Sequence, residues 1–180
     1  MKAIDICGPF LYSIQYDGEE ENEFDRLLKK WRDLEYVTQF IEDNKDYLTN
    51  PKWGKTFEIE SAVRQVLDEA DALEDLFDYL CDNVKYGKKP DLDDHFKFLE
   101  GEYKYEIVNP PMKSYGTERP SLLRFYAIKL DSNVYLITGG GIKLGDKIQN
   151  SPDLKDHVIQ NIEKVKHWMK QNGILDSNDL

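Results

Sequence analysis

The sequence contains few of the residues that build disulfide frameworks, and no apolar run long enough to cross a membrane. Its two cysteines, Cys7 and Cys81, lie far apart, so we expect buried thiols in a reducing compartment rather than a disulfide. No segment approaches the roughly 20 consecutive apolar residues of a membrane span. Asp5, Gly8 and Pro9 interrupt the start of the chain, which is not typical of a secretory leader. We therefore predict a cytoplasmic protein without membrane contact.

Histidines are also scarce, and no metal or nucleotide site follows from the pattern. Residues 91–95 combine three aspartates with a histidine, which the cap and first turn of a helix explain. His157 and His167 lie nearly three helical turns apart, too far to share one metal ion. The glycines at 139–141 and Lys143 lack the spacing of a phosphate-binding loop. We predict no metal and no cofactor.

Positive charge is scarce in the first half of the chain. The whole sequence has 24 Lys and Arg against 35 Asp and Glu, a net charge of −11. Residues 102–180 hold 11 basic and 10 acidic residues, so residues 1–101 hold 13 and 25. One interpretation of the acidic half is a set of solvated helix faces. The alternative is an acidic surface that repels nucleic acid or shields the basic half.

The densest run of strand-forming residues is 122–144, which predicts an antiparallel hairpin at the centre of a sheet. Residues 9–17 alternate between apolar and polar side chains and open with a proline, which indicates an edge strand. Residues 102–108 predict one more strand, and the prolines after it end the run.

Helical spacing accounts for much of the remaining chain. Residues 23–48 form either two helices, with Asp33 capping the second, or one bent helix. A longer helix follows, with acidic residues from 68 to 78, including Glu69, on much of its other surface. Its apolar seam packs on the preceding helices or mediates self-association. The seam consists of Ile59, Val63, Val66, Ala70, Leu73, Phe77, Leu80 and Val84.

Two shorter helices complete the prediction. One starts at Asp91 and contains His95, Phe96 and Leu99, and the last is capped near Ser151 or Asp153. The expected fold is α+β, a small antiparallel sheet packed by helices. We expect a single domain over residues 1–180, with 57–99 as an acidic helical insertion between the first and second strands.

Cationic and aromatic residues are concentrated in the predicted sheet and its loops. Arginine and lysine can stabilise the charge of a scissile phosphate, and tyrosine can stack on a base or transfer a proton. Alternatively, Arg124 is an ordinary sheet residue paired with a carboxylate, and Tyr126 belongs to the core. Alternation along one strand puts Arg124 and Tyr126 on the same face of the sheet, and Lys129 on the other if no bulge intervenes. The set consists of Lys113, Tyr115, Arg119, Arg124, Tyr126, Lys129, Lys143 and Lys147.

These residues resemble a known pattern. A strand carrying Arg124, a strand ending in Thr138-Gly139, and Lys143 and Lys147 before a final helix resemble the RelE/ParE superfamily of bacterial toxins. The closest pattern is the HigB-like branch, and the resemblance covers residues 102–170. It implies a small sheet with helices against one face, and ribosome-dependent mRNA cleavage or gyrase inhibition that an antitoxin protein neutralises.

By position, the resemblance matches Arg124 to the strand arginine of the family, and Lys143 and Lys147 to its basic segment after the glycine. If the chain is a toxin-like nuclease, the residue types then suggest Arg119, Arg124 and Tyr126 as catalytic and Lys113, Lys129, Lys143 and Lys147 as RNA-binding. Three features depart from the family: Thr138 stands where the HigB-like pattern often has histidine, the chain is longer, and it is acidic.

Two functions of different class follow as hypotheses. The first is a toxin-like endoribonuclease that acts on mRNA at the ribosome and is held by an antitoxin. The second is a non-catalytic interaction protein that binds a partner, or a second copy as a homodimer, through the 59–84 seam or its acidic helices.

Overall fold

The computed structural model describes residues 1–50, 53, 57–99, 108–116 and 120–180, and these form an α+β fold. Six strands of the described chain make one sheet in the order β1-β2-β6-β5-β4-β3. Only β2 and β6 run parallel; the other neighbours are antiparallel. The strands are β1 Lys2–Cys7, β2 Leu11–Gln15, β3 Phe96–Phe98, β4 Pro111–Ser114, β5 Leu123–Asp131 and β6 Val134–Ile142.

The predicted central hairpin is confirmed as β5 and β6. Both strands have nearly all their residues buried, as expected when helices cover both faces. The turn is tighter than predicted, because Asp131 still pairs with Val134 and Asn133 takes a positive φ of 60°. Residues 139–141 stay inside β6, paired with β5, and do not lead the chain out of the sheet.

Besides the strands, the described chain contains four α-helices and several short 3-10 segments. The two-helix alternative for residues 23–48 is correct, because the Asp33 carboxylate accepts a 3.0 Å bond from the Tyr36 amide and starts a second helix. The helices are α1 Glu23–Arg32, α2 Leu34–Asp43, α3 Ile59–Lys85 and α4 Val158–Gln171, and the 3-10 segments are Lys45–Thr49, Leu92–Asp94, Ile148–Asn150 and Ser177–Asp179.

The apolar seam of α3 is internal. Its central residues, such as Val66 and Ala70, are fully buried and share one core with α1, α2 and the sheet residue Phe125. The packing alternative is therefore the observed one, with the two end residues of the seam, Ile59 and Val84, only partly buried. The predicted helical insertion 57–99 contributes most of its buried residues to this same core, and its last part forms strand β3 instead of a helix.

Helices cover both faces of the sheet, although the family resemblance implies one. Helices α1–α3 pack on one face, and α4 packs on the other through Val158, Ile162, Val165 and Met169. Helix α4 begins several residues after the predicted cap. The Ser151 hydroxyl and the Asp153 carboxylate bond to the amides of Leu144 and Ile142 instead of capping α4.

Three other predictions about the sheet need correction or lie outside the described residues. The 9–17 strand is β2, which is internal, because the unpredicted strand β1 covers its outer side. Phe96 lies in strand β3, not in a helix, since its ring stacks on Tyr135 at 4.3 Å and tertiary packing outweighs local preference. Of the strand predicted at 102–108, only Val108 is described, and it lies in a bend.

No helix of the described chain has the length and apolarity to span a membrane.

Candidate functional site

Three of the predicted site residues share the α4 face of the sheet. Lys113 on β4 is in register with Tyr126 on β5, and Arg124 lies two residues earlier on the same strand. This agrees with the predicted shared face of Arg124 and Tyr126. Arg119 lies outside the described residues.

The guanidinium of Arg124 is directed back at its own chain. Only 8% of the residue is exposed, and Nη1 donates to the Ser121 carbonyl at 3.1 Å, the Ser121 hydroxyl at 2.8 Å and the Leu123 carbonyl at 2.6 Å. The guanidinium carbon of Arg124 lies 4.1 Å from the ring centre of Tyr115, and the Lys113 ammonium lies 5.7 Å from the same ring centre. These contacts organise the start of β5 rather than exposing a charge.

Tyr126 belongs to the core. The residue is 1% exposed and packs with Leu154, which precedes α4, and with the α4 residues Val158 and Ile162. Burial raises the pKa of its phenol, and the nearby Arg124 charge only partly offsets that effect. The phenol therefore stays protonated at neutral pH, and stacking on a base would require it to leave the core.

Lys129 lies on the opposite face of the sheet from Arg124. Its ammonium is 2.8 Å from the Asp93 carboxylate, which also accepts from the Tyr135 hydroxyl at 2.5 Å and the Asn133 amide at 3.2 Å. The Asp93 amide in turn donates to the Asn133 side chain at 2.8 Å. This cluster fixes the 92–94 segment against the β5–β6 turn. Asp93 therefore acts in tertiary packing and not only in the predicted helical turn.

The remaining predicted lysines flank the loop after β6. The Lys143 ammonium donates to the carbonyls of Gly145 and Asp146 at 3.0 and 2.6 Å, whereas Lys147 is exposed. The described candidates thus divide among two sheet faces and one loop, and they do not converge on one point.

Sequence reasoning missed a buried carboxylate. Glu69, expected on the outer surface of α3, is 0% exposed and accepts bonds from the Ser121 hydroxyl, the amides of Leu122 and Leu123, and the Gln65 amide group. Its position three residues after Val66 and directly before Ala70 puts it at the border of the apolar seam. That border position was the available signal.

Polar side chains also cover the open edge of β6 beyond the end of β2. The Tyr16 hydroxyl donates to the Thr138 carbonyl at 2.8 Å, the Asp153 carboxylate accepts from the Ile142 amide at 2.8 Å, and a His157 ring nitrogen lies 3.3 Å from the Gly140 carbonyl. These contacts satisfy backbone groups on the side of β6 where β2 no longer pairs with it, so their role is structural.

The outer face of α3, which points away from the core, carries exposed negative charge along much of its length. Two tyrosines lie beside it: Tyr79 is 64% exposed and Tyr86 is 82% exposed. Arg32 from α1 pairs with Asp71 at 2.7 Å, and Lys85 pairs with Asp82 at 2.8 Å. We call this surface the α3 acidic face; its aspartates recur at steps of three and four residues and are Asp68, Asp71, Asp75, Asp78 and Asp82.

In the part of the chain that the structure describes, no three or more histidine, cysteine, aspartate or glutamate side chains are arranged so that they could hold one metal ion. Comparisons with family models, with curated proteins and with solved structures give no match to the chain.

Proposed function

We propose that this protein is a non-catalytic interaction protein whose α3 acidic face binds a basic segment of a partner protein. The observation that carries the proposal is the row of five exposed aspartates beside Tyr79 and Tyr86. Tyrosine is enriched at protein interfaces because it contributes a large rigid contact area with a polar end. Its ring also attracts the cations of lysine and arginine.

Charge and dimensions support a basic partner. The row from Asp68 to Asp82 spans 14 residues of helix, or about 21 Å. Because the aspartates lie on one continuous helix whose inner seam is packed in the core, they form a line along its outer side. A lysine- or arginine-rich segment matches this line, and electrostatic attraction would speed its association.

The test is titration of the full chain with a fluorescently labelled oligolysine peptide, followed by anisotropy. The triple variant D68N/D75N/D78N removes three charges from the α3 acidic face. Each exposed pair contributes up to about 1 kcal/mol, so we expect affinity to fall about tenfold. The matched control, E35Q/E42Q/D46N, removes the same charge from α2 and the following turn, where all three side chains are exposed.

The control should change affinity less than about twofold, and added salt should weaken the wild-type complex. Equal losses in both triple variants would mean that net charge alone attracts the peptide. No binding of the wild type at low salt would contradict a basic partner.

A toxin-like endoribonuclease is the second candidate, supported by the shared sheet face of Lys113, Arg124 and Tyr126. RNA affinity depends on local positive charge, and the chain carries a net charge of −11, so this candidate has the weaker support. Its antitoxin, ribosome and mRNA partners remain part of the hypothesis.

Controlled expression in a bacterial host, with growth and translation measured, tests the second candidate. Arg124→Ala would be ambiguous alone, because Arg124 is buried and bonded to Ser121 and Leu123. Lys113→Ala, on a less buried residue, should relieve toxicity while the protein stays soluble. Undiminished growth with soluble wild-type protein contradicts the nuclease.

A further inference from the structure

The only two cysteines in the sequence, 74 positions apart, meet where β1 contacts α3. Cys7 ends β1 and is 7% exposed, and Cys81 is partly buried on α3. The Cys81 Sγ lies 3.8 Å from the carbonyl oxygen of Ile6, the residue before Cys7. Both side chains pack in the core that contains the α3 seam. The fold thus brings together two thiols that the sequence gives no reason to pair.

We propose that Cys7 and Cys81 form an intramolecular disulfide by exchange with a low-molecular-weight disulfide such as oxidised glutathione. The more exposed Cys81 reacts first: its thiolate attacks one sulfur of the small disulfide, forms a mixed disulfide and releases one small thiol. The Cys7 thiolate then attacks the Cys81 sulfur and releases the second small thiol. The two protein thiols lose two protons and two electrons, and the small disulfide takes them up as two thiols.

The surroundings of Cys7 and Cys81 predict slow thiol–disulfide exchange and a disulfide that stabilises the folded chain. Burial raises the pKa of both thiols. Since the thiolate is the attacking form, exchange should accelerate as the pH rises. Once formed, the disulfide would close a loop of more than 70 residues. It would link β1, the edge strand at one end of the described sheet, to α3, the longest described helix. A crosslink across a loop of this size disfavours the unfolded chain.

The test uses the full-length reduced protein, incubated with oxidised glutathione at mildly alkaline pH. We expect a monomer whose intact mass has fallen by two hydrogens and which has no free thiol after denaturation. Its urea midpoint should be higher than that of the reduced protein, and dithiothreitol should reverse the change. The reaction should be faster at higher pH.

Two single variants test the order of the steps. Cys7→Ser should stop at a stable mixed disulfide on Cys81, because no second thiol is available. Cys81→Ser should react much more slowly, since the remaining Cys7 is buried. Wild-type protein that keeps two free thiols, stops at the mixed disulfide or forms crosslinked dimers would overturn the proposal.

Discussion

The hydroxyl of Ser121 donates a 2.8 Å hydrogen bond to the carboxylate of Glu69, and both residues are buried. The same hydroxyl accepts from the Gly116 amide at 2.8 Å and from Arg124 Nη1 at 2.8 Å. One buried acid therefore joins the centre of α3 to the start of β5 and to the only predicted catalytic arginine that the structure describes. Helix α3 thus carries exposed acidic residues on its outer face and directs one buried acidic residue, Glu69, into the core.

Replacement of Glu69 by alanine should be strongly destabilising. The amides of Leu122 and Leu123 and the Ser121 hydroxyl would lose a buried acceptor, at a cost of about 1–3 kcal/mol each when no water replaces it. We expect a loss of about 3 kcal/mol or more in the free energy of unfolding, measured by urea denaturation. Asp68→Asn, on the neighbouring exposed residue, should change it by less than about 0.5 kcal/mol. Similar effects for both would contradict a buried structural role.

Replacement of Gly140 by alanine should destabilise the protein through steric overlap. A Cβ at this position would lie 2.4 Å from the Arg124 carbonyl oxygen on β5 and 3.0 Å from a Leu27 methyl on α1. Because the closest atom is backbone, it cannot move aside at low cost, and we expect a loss of about 1–3 kcal/mol. Gly18→Ala is the comparison: Gly18 has a φ of +86° with open space around it, so only backbone strain of about 1 kcal/mol is expected. Thermal denaturation of the two variants measures the two effects separately: steric crowding at Gly140 and backbone strain at Gly18.

Elements with strong local patterns were predictable from the sequence. The α3 seam repeats over more than three heptads, and the hairpin of β5 and β6 is apolar on both faces, so each pattern specifies its own structure. Strand β3 was not predictable in this way. Phe96 is held in β3 by stacking on Tyr135, which lies almost 40 residues away, and an aspartate-rich local sequence gives no sign of it.

The contacts of the candidate site residues were less predictable. Periodicity correctly put Arg124 and Tyr126 on one sheet face. It gave no indication that the guanidinium would turn toward Ser121, or that Lys129 would meet Asp93. These contacts depend on how a loop or a 3-10 segment returns to the sheet, and that path is decided by long-range packing.

The pair of Lys30 on α1 and Asp153 before α4 should couple the two helical layers. Their charged atoms are 3.0 Å apart, and Asp153 also accepts the Ile142 amide at the open edge of β6. Asp153→Ala should cost about 2–3 kcal/mol, because it leaves that amide and a partly buried ammonium without their acceptor. Lys30→Met should cost about 1 kcal/mol, since a carboxylate bonded to an amide remains. A double-mutant cycle by urea denaturation should give a coupling energy of about 1 kcal/mol, and additive effects would rule the coupling out.

Stability below about pH 5 should depend on Asp93. Burial alone would raise the pKa of this carboxyl, but hydrogen bonds from Lys129, Tyr135 and Asn133 outweigh burial and lower it. An unfolded chain titrates aspartate near pH 3.9. Between the folded and unfolded pKa values, the unfolded chain binds a proton at this aspartate that the folded chain does not. The contribution of Asp93 to the free energy of unfolding is therefore complete above the unfolded pKa and falls as the pH drops.

Asp93→Asn tests this pH dependence, because the variant lacks the titrating group. The side chain is 36% exposed, so we expect the wild type to be more stable by only about 1–2 kcal/mol above pH 5. That difference in the free energy of unfolding should narrow from about pH 4 downward in a series of urea denaturation curves. Lys129→Met keeps the carboxyl but removes its cation, so its stability should fall less steeply with acid than that of the wild type. A difference between wild type and Asp93→Asn that stays constant to pH 3 would show that the Asp93 cluster does not hold the carboxylate in its charged form.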